Sequence, residues 1–325
     1  MRILIDKYVP FLQGVLDRYA DVSYLDPEQF TVEAVRDADA MIIRTRTRCN
    51  ADLLKDSKVQ LIATATIGTD HIDLDYCRAH GIKVVSCPGC NSKAVCDYVE
   101  EALIETVPGI QPLDPDQPVR LLRSFERRYD QLSIGIVGLG HVGMRVYKMA
   151  RNHGLRVVVS DPPLGFLGDV TECDIITFHT PLTRDGEYPT WHLCDEKFLS
   201  RCKPGALIIN AARGGIVDEQ ALLKRGNPYI IDTWEGEPNI HRDVLEHAML
   251  ASYHIAGYSI GGKRNASRQC LKALCEHFGL PKLKVKKEPD TGRGDKESGW
   301  IRRITDQLKA NPEAFEQLRQ EYRLR

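Results

Sequence analysis

The sequence lacks an excess of charge of either sign: 44 lysines and arginines stand against 45 aspartates and glutamates. That balance excludes a global field for nucleic acid or an anionic membrane, so any basic chemistry must be local. Long apolar runs are also missing. No stretch approaches a signal h-region or a membrane span, and the opening MRILIDKYVPF is charged at Arg2, Asp6 and Lys7. A cytoplasmic protein with no membrane or nucleic-acid partner is expected. Cysteine is present without density. Ten are dispersed over 325 residues, unlike the framework of a small secreted domain, and they read as reduced thiols. Cys87-Pro-Gly-Cys90 has the C-x-x-C spacing, yet no second pair or histidine set stands near it, and Pro88-Gly89 before Asn91-Ser92 reads as a turn. No metal is expected, and there is no internal repeat beyond a general α/β alternation.

That alternation is what the sequence does have. RILID, AMIIR, LIATAT and KVVS read as strands, interleaved with helical patterns over Pro10 to Tyr19, Ala51 to Asp56 and Leu74 to Ala79. Pro108, Pro112, Pro115 and Pro118 then mark a boundary or loop. A second series comes after them, with SIGIV, RVVVS, DIITF, ALIIN, YIID and MLASY, so two α/β units are predicted. LKVKKEPDTGRGDKESG is charged and reads as a solvated linker or loop. Beyond it Asn311-Pro312 can start a helix with Phe315, Leu318 and Tyr322 on one face.

Between SIGIV and MRVYKMA, Gly138, Gly140 and Gly143 form G-x-G-x-x-G at a strand-to-helix turn. Such glycines permit a tight turn, close approach of a pyrophosphate and close helix packing, and the helix N-terminus attracts the anion. The next strand ends in Asp161, where a carboxylate grips the ribose hydroxyls of NAD and repels the extra phosphate of NADP. A Rossmann-type NAD-binding domain is therefore expected, with Gly138, Gly140, His141, Val142, Gly143 and Asp161 at the cofactor.

Three further residues leave the carboxyl ends of strands, where open α/β sheets bind ligands. Arg213, in NAARGGIVD, can hold a carboxylate bidentately, and its two glycines read as room for substrate and cofactor. Glu237 closes the acidic cluster DTWEGEP, and His254 lies in SYHIAGYS. A carboxylate on one ring nitrogen of a histidine fixes its tautomer and favours the imidazolium. The ordered arginine, glutamate and histidine suit hydride transfer at the carbon next to a carboxylate. Ala256 and Gly257 read as space for nicotinamide and substrate. Arg44 and Arg46, in IIRTRT, share one face if the strand continues, and either can meet a substrate phosphate.

IVGLGHVG, HTPL, NAARGGIVD, DTWEGEP and YHIAGYS, with TATIGTDHID nearer the start, resemble the D-isomer-specific 2-hydroxyacid dehydrogenase family in its motif order. The resemblance implies a flavodoxin-like α/β substrate domain over residues 1–98 with 262–280 returning to it, and an NAD-binding domain over 99–258. It implies a small dimerisation segment over 282–325, and so a homodimer. Arg213, Glu237 and His254 take the catalytic roles by it, while Thr180, Asp232 and Gly257 join the NAD contacts. Thr45, Thr66 and Tyr258 bind a small phosphorylated 2-hydroxy acid. The sequence departs from the family between Asp161 and Asp174, where PPLGFLGDVTEC leaves no length for the usual helix. Another dehydrogenase of the family, such as one acting on 3-phosphoglycerate, and a non-catalytic NAD-sensing binding protein are the alternatives.

Overall fold

The computed structural model describes residues 1–108, 110, 132–286 and 299–323. The chain begins with β1 (Arg2–Asp6), β2 (Asp21–Leu25), α1 (Val32–Arg36), β3 (Ala40–Ile43), α2 (Ala51–Leu54), β4 (Leu61–Thr64), α3 (Leu74–Ala79) and β5 (Lys83–Val85). It continues with α4 (Ser92–Thr106), β6 (Ser133–Val137), α5 (His141–Asn152), β7 (Arg156–Asp161), β8 (Phe166–Leu167) and β9 (Ile175–Phe178). Next come α6 (Glu196–Arg201), β10 (Leu207–Asn210), α7 (Glu219–Arg225), β11 (Tyr229–Ile231), α8 (Arg242–His247) and β12 (Leu250–Ala251). The last elements are α9 (Ile260–His277), α10 (Trp300–Ala310) and α11 (Phe315–Glu321). One unit comprises Met1–Asn91 with the described part of Ser259–Arg293, and the other Ser92–Tyr258 with the described part of Gly294–Arg325.

In the first unit the sheet order is β2-β1-β3-β4-β5, all parallel, which is the flavodoxin-like order. Side chains alternate across it. Ile3, Ile5, Ile42 and Ala63 meet Ala266, Cys270, Leu271 and Leu274 of α9 in one core. Leu4, Met41, Ile43 and Ile62 fill the other with Phe30, Val35 and Leu54. A sheet apolar on both faces is what central parallel strands require. The expected helix over Pro10 to Tyr19 is instead a run of turns, with Phe11 at φ 67° and Gly14 at φ 75°. Those left-handed residues break a right-handed helix while Val9, Leu12 and Leu16 still reach the core. All ten thiols are free and buried, and Cys87 lies against Cys270, Sγ to Sγ 3.6 Å.

The second sheet runs β12-β11-β10-β9-β6-β7-β8, parallel except for the antiparallel β7–β8 pair. Its order reverses at β6, between β7 and β9, which is the topological switch point of a Rossmann sheet. The short segment after Asp161 makes only 3₁₀ turns and the two-residue β8, so no α-helix crosses from β7 to β9. Gly168 permits this tight return, since a Cβ there would stand 2.6 Å from the Val159 carbonyl oxygen.

The division falls at Asn91/Ser92 rather than at 98, because Val95, Tyr98, Val99, Ala102 and Leu103 of α4 belong to the second core. The C-terminal helices share that core. Trp300, Ile301, Ile304, Leu308 and Phe315 are buried in it, and the Thr305 hydroxyl accepts from Ala251 N at 2.8 Å and donates to Ala251 O at 3.0 Å. α10 thus covers the sheet edge at β12. The expected helix from Asn311-Pro312 begins with a 3₁₀ turn and becomes α only at Phe315. Pro112, Pro115 and Pro118, and most of the charged linker, lie outside the described residues.

Candidate active site

The glycine loop forms for reasons that can be separated residue by residue. Gly138 has φ 90°, and a Cβ on it would come within 2.9 Å of both the His179 carbonyl carbon and Thr180 Cγ2. Gly143, in the first turn of α5, would place a Cβ 1.9 Å from the Gly138 carbonyl oxygen. These two are demanded by the protein itself. Gly140 is not: a Cβ there would meet nothing within 4 Å, and the residue is exposed at the N-cap of α5. A bare backbone facing open space at a helix N-terminus suits the close approach of a phosphate. His141 is exposed and Val142 half-buried in the same turn.

Asp161 is brought to the loop, where its Oδ2 accepts from Leu139 N at 2.6 Å. Its Oδ1 caps the turn at Leu164 N, 3.3 Å away. Across the switch point, Thr180 Oγ1 and His179 Nδ1 are buried with no hydrogen-bond partner among the described residues. Burial pushes the His179 imidazolium down to about 3, so that ring is neutral. An orphaned hydroxyl beside the glycine turn, an open Gly140 and the acidic strand end together fit a dinucleotide.

β10, β11 and β12 are parallel neighbours, so the loops leaving their carboxyl ends emerge at one edge of the sheet. Arg213 lies just after β10 and is positioned by Asn210, whose Nδ2 donates to the Arg213 carbonyl at 2.9 Å. Arg213 Nη1 donates to Ala212 O at 2.7 Å, leaving further guanidinium donors for a carboxylate. The two glycines beside it are demanded by packing. A Cβ on Gly214 would overlap the Trp234 carbonyl, 1.8 Å from its oxygen, and one on Gly215, at φ 82°, would stand 2.2 Å from the Trp191 ring.

Glu237 lies beyond β11 and His254 beyond β12. His254 Nδ1 and Glu237 Oε2 are 2.8 Å apart, with side chains 32% and 18% exposed, so Nε2 of the ring is left to meet a substrate. Burial alone would raise the Glu237 carboxyl. The hydrogen bond and charge of His254, with the Trp234 N–H donating at 2.7 Å, outweigh it and hold the group below the ordinary range. His254 itself has φ 59°, a left-handed conformation that costs a non-glycine residue about 1 kcal/mol or more. Asp232 maintains it: its carbonyl accepts from His254 N at 2.8 Å, and its Oδ1 accepts from Ile255 N at 2.8 Å, Ala256 N at 3.1 Å and Ser252 Oγ at 2.6 Å. Ala256 is consequently buried, which removes it as open space for a ligand, while Gly257 remains half-buried after it.

The residues expected at substrate divide between the units. In the first, β3 ends at Ile43 and residues 44–47 form a turn, so Arg44 and Arg46 do not alternate along a strand. Arg44 is held bidentately by the fully buried Asp6, Nε to Oδ2 2.8 Å and Nη2 to Oδ1 3.2 Å. The pair uses Nε and Nη2 and leaves Nη1 of the guanidinium outside it. Thr45 and Arg46 are exposed at the tip of the turn. The Thr66 hydroxyl lies 2.6 Å from Thr64 Oγ1 and donates to Gly68 O at 2.9 Å. In the second unit the Tyr258 hydroxyl accepts from Arg319 Nε at 3.1 Å.

Sequence reading missed Asn210, Asp6 and Arg319, and with them Glu219. Asn210 had a signal, being a polar residue at the end of an apolar strand. Glu219 is 1% exposed; desolvation, with the charges of Glu235, Glu237 and Asp218, pushes its carboxyl up to about 8.

The match to known sequences agrees with this geometry. Residues 4–286 match the family described as D-isomer specific 2-hydroxyacid dehydrogenase, catalytic domain, and the chain belongs to that family. Within it, the chain is 41% identical over 351 positions to the erythronate-4-phosphate dehydrogenase of Bacteroides fragilis, covering 100% of this chain and 97% of that one. It is 39% identical over 296 positions to the erythronate-4-phosphate dehydrogenase of Porphyromonas gingivalis, covering 86% and 76%. The crystal structure of the TT0316 protein from Thermus thermophilus is similar with a TM-score of 0.66 at 25% identity, over 88% of this chain and 100% of that one. NAD-bound 3-phosphoglycerate dehydrogenase of Entamoeba histolytica shares the fold, with a TM-score of 0.67 at 23% identity over 89% and 99%.

Proposed function

We propose that this protein catalyses the NAD-dependent oxidation of 4-phospho-D-erythronate to 2-oxo-3-hydroxy-4-phosphobutanoate, a step of pyridoxal 5'-phosphate synthesis. The observation that carries the reading is the Glu237–His254 pair at 2.8 Å, delivered to the sheet edge that also presents Arg213. The names of the full-length relatives supply the substrate.

His254 Nε2 takes the proton of the C2 hydroxyl, because Nδ1 is committed to Glu237. The Glu237 carboxylate stabilises the imidazolium that forms. Arg213 holds the substrate carboxylate and faces the developing carbonyl oxygen with spare N–H donors. Bound by Gly138, Gly140, His141, Val142, Gly143, Asp161 and Thr180, with Asp232 and Gly257 nearby, NAD would supply the hydride acceptor. Arg44, Thr45, Arg46, Thr66 and Tyr258 are the candidate hydroxyl and cationic donors for the rest of the substrate.

The reading places the enzyme in the cytoplasm; among the described residues no helix is long and apolar enough to cross a membrane. It also pairs the chain with a second copy of itself, which light scattering would register as twice the mass of 36.7 kDa. Purified protein given NAD with 4-phospho-D-erythronate, 3-phosphoglycerate or D-lactate tests the activity. NADH should form fastest from the first, and a clear preference for either other acid would overturn the substrate assignment.

A further inference from the structure

Arg319 lies on α11, in the C-terminal segment. Its position is fixed by packing: Phe315 of the same helix is fully buried in the second unit's core, and Tyr322 lies edge-on to Tyr253 with centroids 6.1 Å apart. Arg319 is thereby brought across 61 residues of sequence to the loop that carries the candidate acid-base group, where its Nε donates to the Tyr258 hydroxyl at 3.1 Å.

Its charge is poorly neutralised there. The nearest carboxylate, Glu316, is 3.4 Å from Nη1 with a side chain 44% exposed, whereas the arginine side chain is 25% exposed. Nη2 has no hydrogen bond among the described residues. Burial alone would lower the guanidinium pKa, but Tyr258, Glu316 and Glu237 keep it fully protonated. A mostly buried cation with an unused donor, touching a phenol four residues from His254, has the chemistry to recognise an anion.

We infer that Arg319, together with the Tyr258 hydroxyl, binds the phosphate of the substrate and sets the preference for phosphorylated 2-hydroxy acids; this rests on the dehydrogenase reading above. Arg319 acts on the substrate end remote from the hydride, so its loss should fall on KM more than on kcat. One charge-assisted contact to a dianion corresponds to about ten- to hundred-fold in affinity.

The experiment compares wild type, Arg319→Gln and Arg319→Lys with 4-phospho-D-erythronate and with unphosphorylated D-erythronate, following NADH. Arg319→Gln should raise KM for the phosphorylated acid at least ten-fold with kcat within about three-fold, leave kinetics with erythronate unchanged, and be partly rescued in Arg319→Lys. An unchanged KM, or equal losses on both acids, would overturn the inference while leaving the dehydrogenase reading intact. Should Arg319→Gln fail to fold, the folded Arg319→Lys protein decides alone: a KM for the phosphorylated acid equal to wild type with no change in the ratio between the two acids refutes it. Wild type that oxidises neither acid defeats the underlying reading, and the role of Arg319 with it.

Discussion

Replacing Asp232 by asparagine should loosen the loop that holds His254, and the structure sets the size of the effect. The carboxylate is 1% exposed and takes three donors, Ser252 Oγ at 2.6 Å, Ile255 N at 2.8 Å and Ala256 N at 3.1 Å. Hydrogen bonds to a charged acceptor contribute about 1.5–3 kcal/mol and neutral ones about 0.5–1.5, so three lose roughly 3 kcal/mol together. Asparagine also turns an N–H toward Ala256 N, since Oδ2 accepts from that amide at 3.1 Å. Relief from burying a charge offsets part, leaving a net loss of about 2 kcal/mol. At about 2–4 °C per kcal/mol for a unit of this size, Tm should fall by about 4–8 °C. The left-handed backbone of His254 then loses its restraint, and kcat should drop about ten-fold or more. Thermal melting without cofactor and steady-state kinetics measure both. An unchanged melting curve with weakened NAD binding would refute the argument and make Asp232 a cofactor contact alone.

Glycine and titration supply further predictions. Gly140→Ala should keep wild-type melting, because its Cβ meets nothing within 4 Å, yet weaken NAD binding at least ten-fold by calorimetry. Gly143→Ala should lower Tm as well, because its Cβ would overlap the Gly138 carbonyl; equal melting of the two variants would contradict the division of roles. Glu219 has its folded-state pKa raised to about 8 from 4.5, so the folded protein binds the extra proton between those values. Its contribution is complete below about pH 4.5 and is lost as pH rises through 8, at up to about 1.4 kcal/mol per unit. Urea denaturation of Glu219→Gln should show that slope removed, and an identical pH profile would count against the buried neutral acid.

How far the sequence disclosed this molecule depended on how local each cause is. The G-x-G-x-x-G turn was legible because it is built from neighbouring residues, and Asp161 because it closes the next apolar strand. Arg213, Glu237 and His254 were legible because each comes after a recognisable apolar strand, and adjacency of β10, β11 and β12 brings them to one edge. The turn over Pro10 to Tyr19 was not, since its apolar spacing imitates a helix and only the backbone at Phe11 and Gly14 reveals otherwise. Nor was the Asp6 partner of Arg44 legible, since it lies 38 residues away. The packing demand on the glycines after Arg213 was not legible, because the Trp234 carbonyl and the Trp191 ring that impose it come from other segments. Arg319 gave no signal at all in a short amphipathic helix, and only docking on the second unit carries it to Tyr258.

The central claim is that His254, supported by Glu237, removes the C2 hydroxyl proton during hydride transfer to NAD. It is tested most directly by NADH formation from 4-phospho-D-erythronate in wild type and in His254→Asn. Wild type should turn over, and the variant should keep its fold and substrate KM while kcat falls by about 10²–10⁴. Equal turnover in the two proteins would contradict the account.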